Sequence, residues 1–200
     1  MSTIKTGTTT TTGLIVEADT SGNLVVQTGS TPTTALTISG TNQQVTLAAP
    51  LVNPVPAFLV RRTLSNQTFA VSNTQYVIAY DTVEVDTNSW WDSVNYRYVP
   101  QIAGWYQINV STGAQQSTTT AAGRVIADLR KNGTSYSRVG YGAFYANANI
   151  TASGSSLVYL NGSTDYIDIF ALITGAGTLQ VWGSTSTFAT FFQGFLVRAA

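Results

Sequence analysis

The tightest constraint on this chain lies in residues 105–110 and 124–130. Tyr106, Ile108 and Val110 alternate with Trp105, Gln107 and Asn109, and Val125, Ala127 and Leu129 alternate with Arg124, Ile126, Asp128 and Arg130. A repeat of two is the side-chain period of a strand, and no stretch from Ala57 onward carries the 3.6-residue repeat of an amphipathic helix. The region is predicted to be all-β. Further runs at Phe58 to Val60, Tyr76 to Val83, Leu157 to Leu160, Tyr166 to Leu172, Leu179 to Trp182 and Phe191 to Val197 bring the count to about eight strands in about 140 residues, which suggests a two-sheet sandwich.

Two of these runs break the one-sided rule. In Tyr166-Ile-Asp-Ile-Phe-Ala-Leu172 and Phe191-Phe-Gln-Gly-Phe-Leu-Val197, large apolar side chains fall on both faces. The outer face of a monomeric sandwich should be polar, so a second apolar face is expected to meet another subunit. Tyr166, Ile167, Ile169, Phe170, Phe191, Phe192 and Phe195 are therefore the expected interface of a homotrimer, a common way for identical sandwiches to cover such faces. The alternative is a central strand covered by a loop.

The first 50 residues are of another kind. They hold 15 of the 32 threonines and no aromatic residue. Short β-type runs at Leu14 to Glu17, Asn23 to Gln27, Ala35 to Ile38 and Gln44 to Leu47 are separated by Gly, Ser, Thr and Asn, with turns expected at Asp19 to Gly22 and Gly29 to Pro32. So small a meander is marginal alone and needs partners, from other copies of itself or from a surface it lies on; disorder is the competing reading. Pro50, Pro54 and Pro56 favour extended backbone. The expected organisation is a β-rich anchoring arm over 1–49, a stiff connector over 50–56 and a sandwich head over 57–200.

Composition removes whole classes of function. The chain has no cysteine and no histidine, which excludes disulfides, thiolate nucleophiles, Ser-His-Asp triads and His or Cys zinc sites. Nine basic and nine acidic residues balance, and only Lys5 and Lys131 accompany the arginines, too few for a nucleic-acid-binding stripe. No run approaches the length needed to cross a bilayer, and MSTIKTGTTTTTG lacks the apolar core of a secretion signal, so neither membrane insertion nor export is expected. The acids Glu17, Glu84, Asp19, Asp81, Asp86, Asp92, Asp128, Asp165 and Asp168 pair in no convincing catalytic way. Asp81, Glu84, Asp86 and Asp92 form the one acidic cluster, which suits calcium in ligand type but in no fixed loop geometry; a solvated turn balancing Arg61, Arg62 or Arg97 explains it as well. Trp90, Trp91, Tyr96 and Tyr98 are candidates for a platform that stacks on sugars, against the reading that they pack the core or an interface. Gly140-Tyr-Gly142 and Gly175-Ala-Gly177 lack the context and lysine of a phosphate loop. No enzyme activity, metal or cofactor is expected.

Several segments, in order, match one known pattern: Ala57-Phe58-Leu-Val-Arg61-Arg62, Val77-Ile-Ala-Tyr80-Asp81-Thr-Val83, Trp90-Trp91-Asp92, and above all Tyr98-Val-Pro100-Gln-Ile-Ala103-Gly104-Trp105-Tyr106. Leu129-Arg130-Lys131-Asn132-Gly133 and Phe192-Gln193-Gly194-Phe195-Leu196 follow. From Ala57 to Val197 the chain resembles the complement component 1q and tumour necrosis factor-like jelly roll, and the resemblance implies a strand order and a homotrimeric head. It departs from the family at Leu160-Asn161-Gly162-Ser163-Thr164-Asp165, where two residues separate Gly and Asp. No collagen repeat precedes the head. The threonine-rich arm looks instead like the shaft or attachment segments of bacteriophage virion proteins. The expected protein is thus a non-enzymatic virion component, assembled in the host cytoplasm. Its arm would anchor to, or thread among, neighbouring virion proteins such as a major capsid protein or tail components, and the trimer would serve as a capsid decoration or cement protein with heads outward. The alternative is a tail-fibre tip that recognises a host surface glycan.

Overall fold

The computed structural model describes residues 15–18, 24–28, 33–39, 41, 45–47, 55–116, 122–145, 149–186 and 189–200. The chain divides into two compact units, Met1–Asn53 and Pro54–Ala200. In the first, β1 (Ile15–Ala18), β2 (Leu24–Thr28), β3 (Thr33–Ile38) and β4 (Val45–Leu47) form one antiparallel sheet in chain order. The four apolar runs of the arm become these four strands; the turns expected at Asp19 to Gly22 and Gly29 to Pro32, and Pro50 and Pro54 of the connector, lie outside the described residues.

The second unit is a two-sheet sandwich. Its strands are β5 (Ala57–Arg61), β6 (Gln67–Phe69), β7 (Gln75–Val77), β8 (Thr82–Asp86), β9 (Trp91–Asp92), β10 (Arg97–Tyr98), β11 (Ala103–Gln116), β12 (Gly123–Lys131), β13 (Thr134–Phe144), β14 (Ile150–Asn161), β15 (Ile167–Thr174), β16 (Leu179–Val181) and β17 (Phe191–Ala199). One sheet runs β13-β12-β15-β10-β9, with β7 also on β15. The other runs β6-β16-β11-β17-β5-β8, with β14 along the far side of β11. Period two does what it promised: Tyr106, Ile108, Phe58, Val60 and Phe192 from one sheet meet Val125, Leu129, Ile167, Ile169 and Ile173 from the other in one continuous core. The β12–β13 hairpin turns at Asn132 (φ 51°) and Gly133 (φ 77°), the pair of positive φ values a type I′ turn demands and Asn-Gly supplies.

Two strand expectations change. Tyr76 to Val83 is not one strand but two, in different sheets: β7 pairs with β15 and β8 with β5. Asp81 causes the crossing, because its carboxylate takes the amides of Thr63 (2.8 Å) and Leu64 (3.2 Å) and ties the chain to the end of β5. The strand β13, unread in the sequence, forms the edge of its sheet and meets β14, the edge of the other, almost backbone to backbone. A side chain on Gly154 would strike the carbonyl of Val139, and one on Gly140 would come 2.8 Å from the carbonyl carbon of Ala152.

At the departure from the family pattern, Asn161 Oδ1 accepts the amides of Ser163, Thr164 and Asp165, each at 3.0 Å. Asp165 Oδ2 in turn accepts the Asn161 amide at 2.9 Å. The two-residue spacer closes a loop that satisfies its own backbone.

Candidate association face and the aromatic interior

The register gathers exposed apolar side chains from several strands on the outer face of the β11 sheet. Trp105 pairs with Tyr159 across β11 and β14, their rings edge to face at 5.6 Å. Beside them Leu157, Gln107, Phe195 and Ala57 make one cross-strand row, and Ser155, Asn109, Gln193, Leu59 and Val85 make the next. Trp105, Leu157 and Phe195 remain 43%, 46% and 45% exposed, far more than a covered sheet face leaves. Between Ala57, Leu59, Val85, Gln193 and Phe195 the surface sinks into a shallow groove of about 250 Å³. Charge enters at the borders: the Arg61–Glu84 pair at 2.6 Å, Lys131 with its ammonium 5.9 Å from the Tyr159 ring, and exposed Arg198 beside Trp105.

The expected interface residues divide three ways. Phe195 and Phe191 lie on this outer face, Phe195 well exposed. Ile167, Ile169 and Phe192 are wholly buried inside their own sandwich, because β15 and β17 turn those positions toward the core; they have no surface to give a neighbour. Tyr166 and Phe170 stand on the outer side of the opposite sheet, each beneath an arginine: the Arg97 guanidinium sits 4.6 Å from the Tyr166 ring centroid and that of Arg130 3.9 Å from Phe170. The second apolar face of β15 is thus partly covered from within its own chain, with Tyr166, Phe170 and Leu172 half-buried. Trp105, Tyr159, Leu157, Leu59 and Val85 escaped sequence reasoning, although a tryptophan on the polar side of an alternating strand was a readable signal.

Those arginines belong to a cross-strand charge row. Asp92, Arg97, Asp168 and Arg130 stand side by side on β9, β10, β15 and β12. Arg97 Nε binds Asp92 at 2.9 Å, and Arg130 turns its Nη2 to the Gly133 carbonyl. Asp168 is left between them, 7% exposed, with its Oδ1 buried and without a hydrogen-bond donor. Burial pushes its carboxyl up to about 6 against the pull of Arg130 and Arg97. Asp165 behaves oppositely: burial alone would raise it, but Lys131 (2.8 Å), Asn132 (2.7 Å) and the Asn161 amide hold it below the usual carboxylate range.

Of the aromatic residues considered for sugar stacking, Tyr98 lies in the interior and Trp90 and Trp91, partly buried, pack against the core. Tyr98 is fully buried and stacks on Phe58 at 4.0 Å; it offers no face to a ligand. Trp91 lies parallel to Phe58 at 6.4 Å and edge-on to Tyr80 and Phe192, and Trp90 packs on Tyr98 at 6.2 Å. Asp86 fixes the pair by accepting the amides of Trp90 (3.0 Å) and Trp91 (2.8 Å). Tyr96 stands apart in the β9–β10 turn at φ 55°. The structure therefore does not bring these four rings together as an exposed platform.

The acids considered for calcium are each engaged locally: Asp81 at the end of β5, Asp86 under the tryptophans, Glu84 with Arg61, and Asp92 with Arg97, Asn95 and Val94. Among the described residues no group of three or more potential ligands converges.

No family model matches this chain, and no curated protein matches it. Solved structures do. The globular domain of zebrafish complement 1qA protein matches at 17% identity and a TM-score of 0.52, covering 73% of this chain and 99% of that one. Murine APRIL at pH 5.0 matches at 12% identity and a TM-score of 0.50, covering 72% and 99%. These likenesses establish the fold of the second unit as a jelly roll of the complement 1q and tumour necrosis factor type, the architecture the segments from Ala57 to Val197 pointed to.

Proposed function

We propose that this chain is a non-enzymatic structural protein that works as a homotrimer, its heads associating through the outer face of the β11 sheet. One observation carries the reading: Trp105, Tyr159, Leu157, Phe195 and Val85, open to water, line up on that face with half-buried Leu59, uncharged at its centre. Burying such a surface is worth roughly 25 cal/mol per Å² of apolar area. Neutral Gln107, Asn109 and Gln193 between the apolar side chains keep the free subunit soluble and can pair across an interface. The place of work is the bacteriophage virion, where the threonine-rich arm anchors the trimer to the capsid and decorates or cements it.

The test is Phe195→Asp. Sedimentation of the unaltered chain at micromolar concentration should show a trimer, and the variant should dissociate at about tenfold higher concentration or more, which for a trimer is about a hundredfold in the equilibrium constant, or about 2.7 kcal/mol. A wild-type monomer, or a variant that associates unchanged, overturns the reading.

A tail-fibre tip that recognises a host glycan remains the second reading, favoured by the exposed Tyr136, Tyr141 and Tyr145 on and just after edge strand β13, beside exposed Arg138. Tyrosine with arginine and serine is a composition that recognition surfaces use. Copy number decides: hundreds per particle place the chain on the capsid, about a dozen in the tail.

A further inference from the structure

The register of the N-terminal sheet sorts its residues by face. Two rungs are entirely apolar: Ala18, Leu24, Ile38 and Val45 in one, Val16, Val26, Leu36 and Leu47 in the other. The rung between them, on the opposite face, reads Glu17, Val25, Thr37 and Thr46. Since strand side chains alternate, the sheet has one aliphatic side and one mainly polar side. Leu24 and Val45 are 40% and 59% exposed, and Val26, Leu36 and Ile38 only partly covered. Among the residues of this unit whose burial is described none is buried. A sheet of four short strands in that condition does not hold by itself.

We propose that the aliphatic side is closed by the same sheet from the two other copies of the chain, so that three N-terminal sheets pack apolar side inward around one axis. The inference rests on the trimeric reading of the heads. Three features favour copies over a foreign protein. The two apolar rungs carry no charged or hydrogen-bonding side chain, so nothing on them selects a partner by electrostatics or polar pairing, while an evenly aliphatic surface complements itself. Each arm is covalently joined to its head, so head association raises the local concentration of the other two arms to the order of millimolar. Leu, Val and Ile without an aromatic ring suit the roughly 10 Å spacing of stacked sheets. The threonine rung then faces water or the anchoring partner.

The chain has no cysteine, so single thiols report unambiguously. Ile38→Cys and Leu24→Cys place one on the aliphatic side; Thr37→Cys places one on the other. Each full-length variant is treated with a short bismaleimide and run on a denaturing gel, with its oligomeric state measured by sedimentation. Covalent dimers from Cys at 38 and at 24 but not at 37, in a chain that sediments as a trimer, are the expected result. A trimer in which the aliphatic-side thiols fail to link, or link no better than position 37, overturns the packing of the arms and leaves head association standing. A monomer overturns both.

Discussion

Alanine in place of Gly154 should cost the head about 3 kcal/mol or more, near the upper end of what overpacking does. The methyl group would be driven into the carbonyl oxygen of Val139, with the carbon behind it 2.9 Å away. Neither backbone has a cheap way to retreat. On one side β14 is laddered to β11 from Ala103 to Ala114, and on the other β13 is laddered to β12 on both sides of Val139. The contact joins the two edges of the sandwich, so relief at one strand strains the other. A melting temperature lower by roughly 10 °C is expected at about 3 °C per kcal/mol, whereas Ser155→Ala, one position along on the exposed side of β14, should change little. Equal melting temperatures for Gly154→Ala and the unaltered chain would mean that β13 and β14 do not touch as described.

That crossing also explains what the sequence concealed. β11 and β12 were legible because Tyr106, Ile108, Val110, Val125, Ala127 and Leu129 fill space between separated sheets, and filling space requires bulky side chains at period two. Where β13 crosses β14 there is no space to fill, so the inward positions are Gly140, Gly142, Ala152 and Gly154, and the alternation has no hydrophobic amplitude. Closeness itself erased the signal. The candidate association face was half legible. Phe195 showed as the odd apolar residue on β17, but Leu59, Val85 and Leu157 join it only through register with distant strands. Phe170 shows what the sequence could not foresee: its outward, half-buried ring carries the Arg130 guanidinium, which β12 brings beside it only on folding.

The row that holds Arg130 also holds Asp168, a carboxyl whose shift makes stability depend on pH. Asp168 has a folded value of about 6 against an ordinary 3.8, so the folded chain holds this proton more tightly than the unfolded chain does. Its contribution is therefore fully favourable below about pH 4, falls as pH rises from 4 to 6, and is lost above that. Two units at 1.36 kcal/mol each amount to about 3 kcal/mol. The physical reason is geometric. Arg97 is committed to Asp92, and Arg130 gives its Nη2 to the Gly133 carbonyl while its Nε is buried without an acceptor, each guanidinium also resting on a ring, and Asp168 Oδ1 is shut away from water without a donor. Asparagine keeps the shape and removes the charge. Asp168→Asn should raise unfolding stability at pH 7 by about 2 kcal/mol, less than the full figure because an amide donor then faces two cations, and the gain should vanish near pH 4. Denaturant unfolding at pH 4, 5, 6 and 7 measures it. A variant that is less stable than the unaltered chain at pH 7 would show that the arginines hold the carboxylate as an ion pair, and that the charge row is a source of stability at neutral pH.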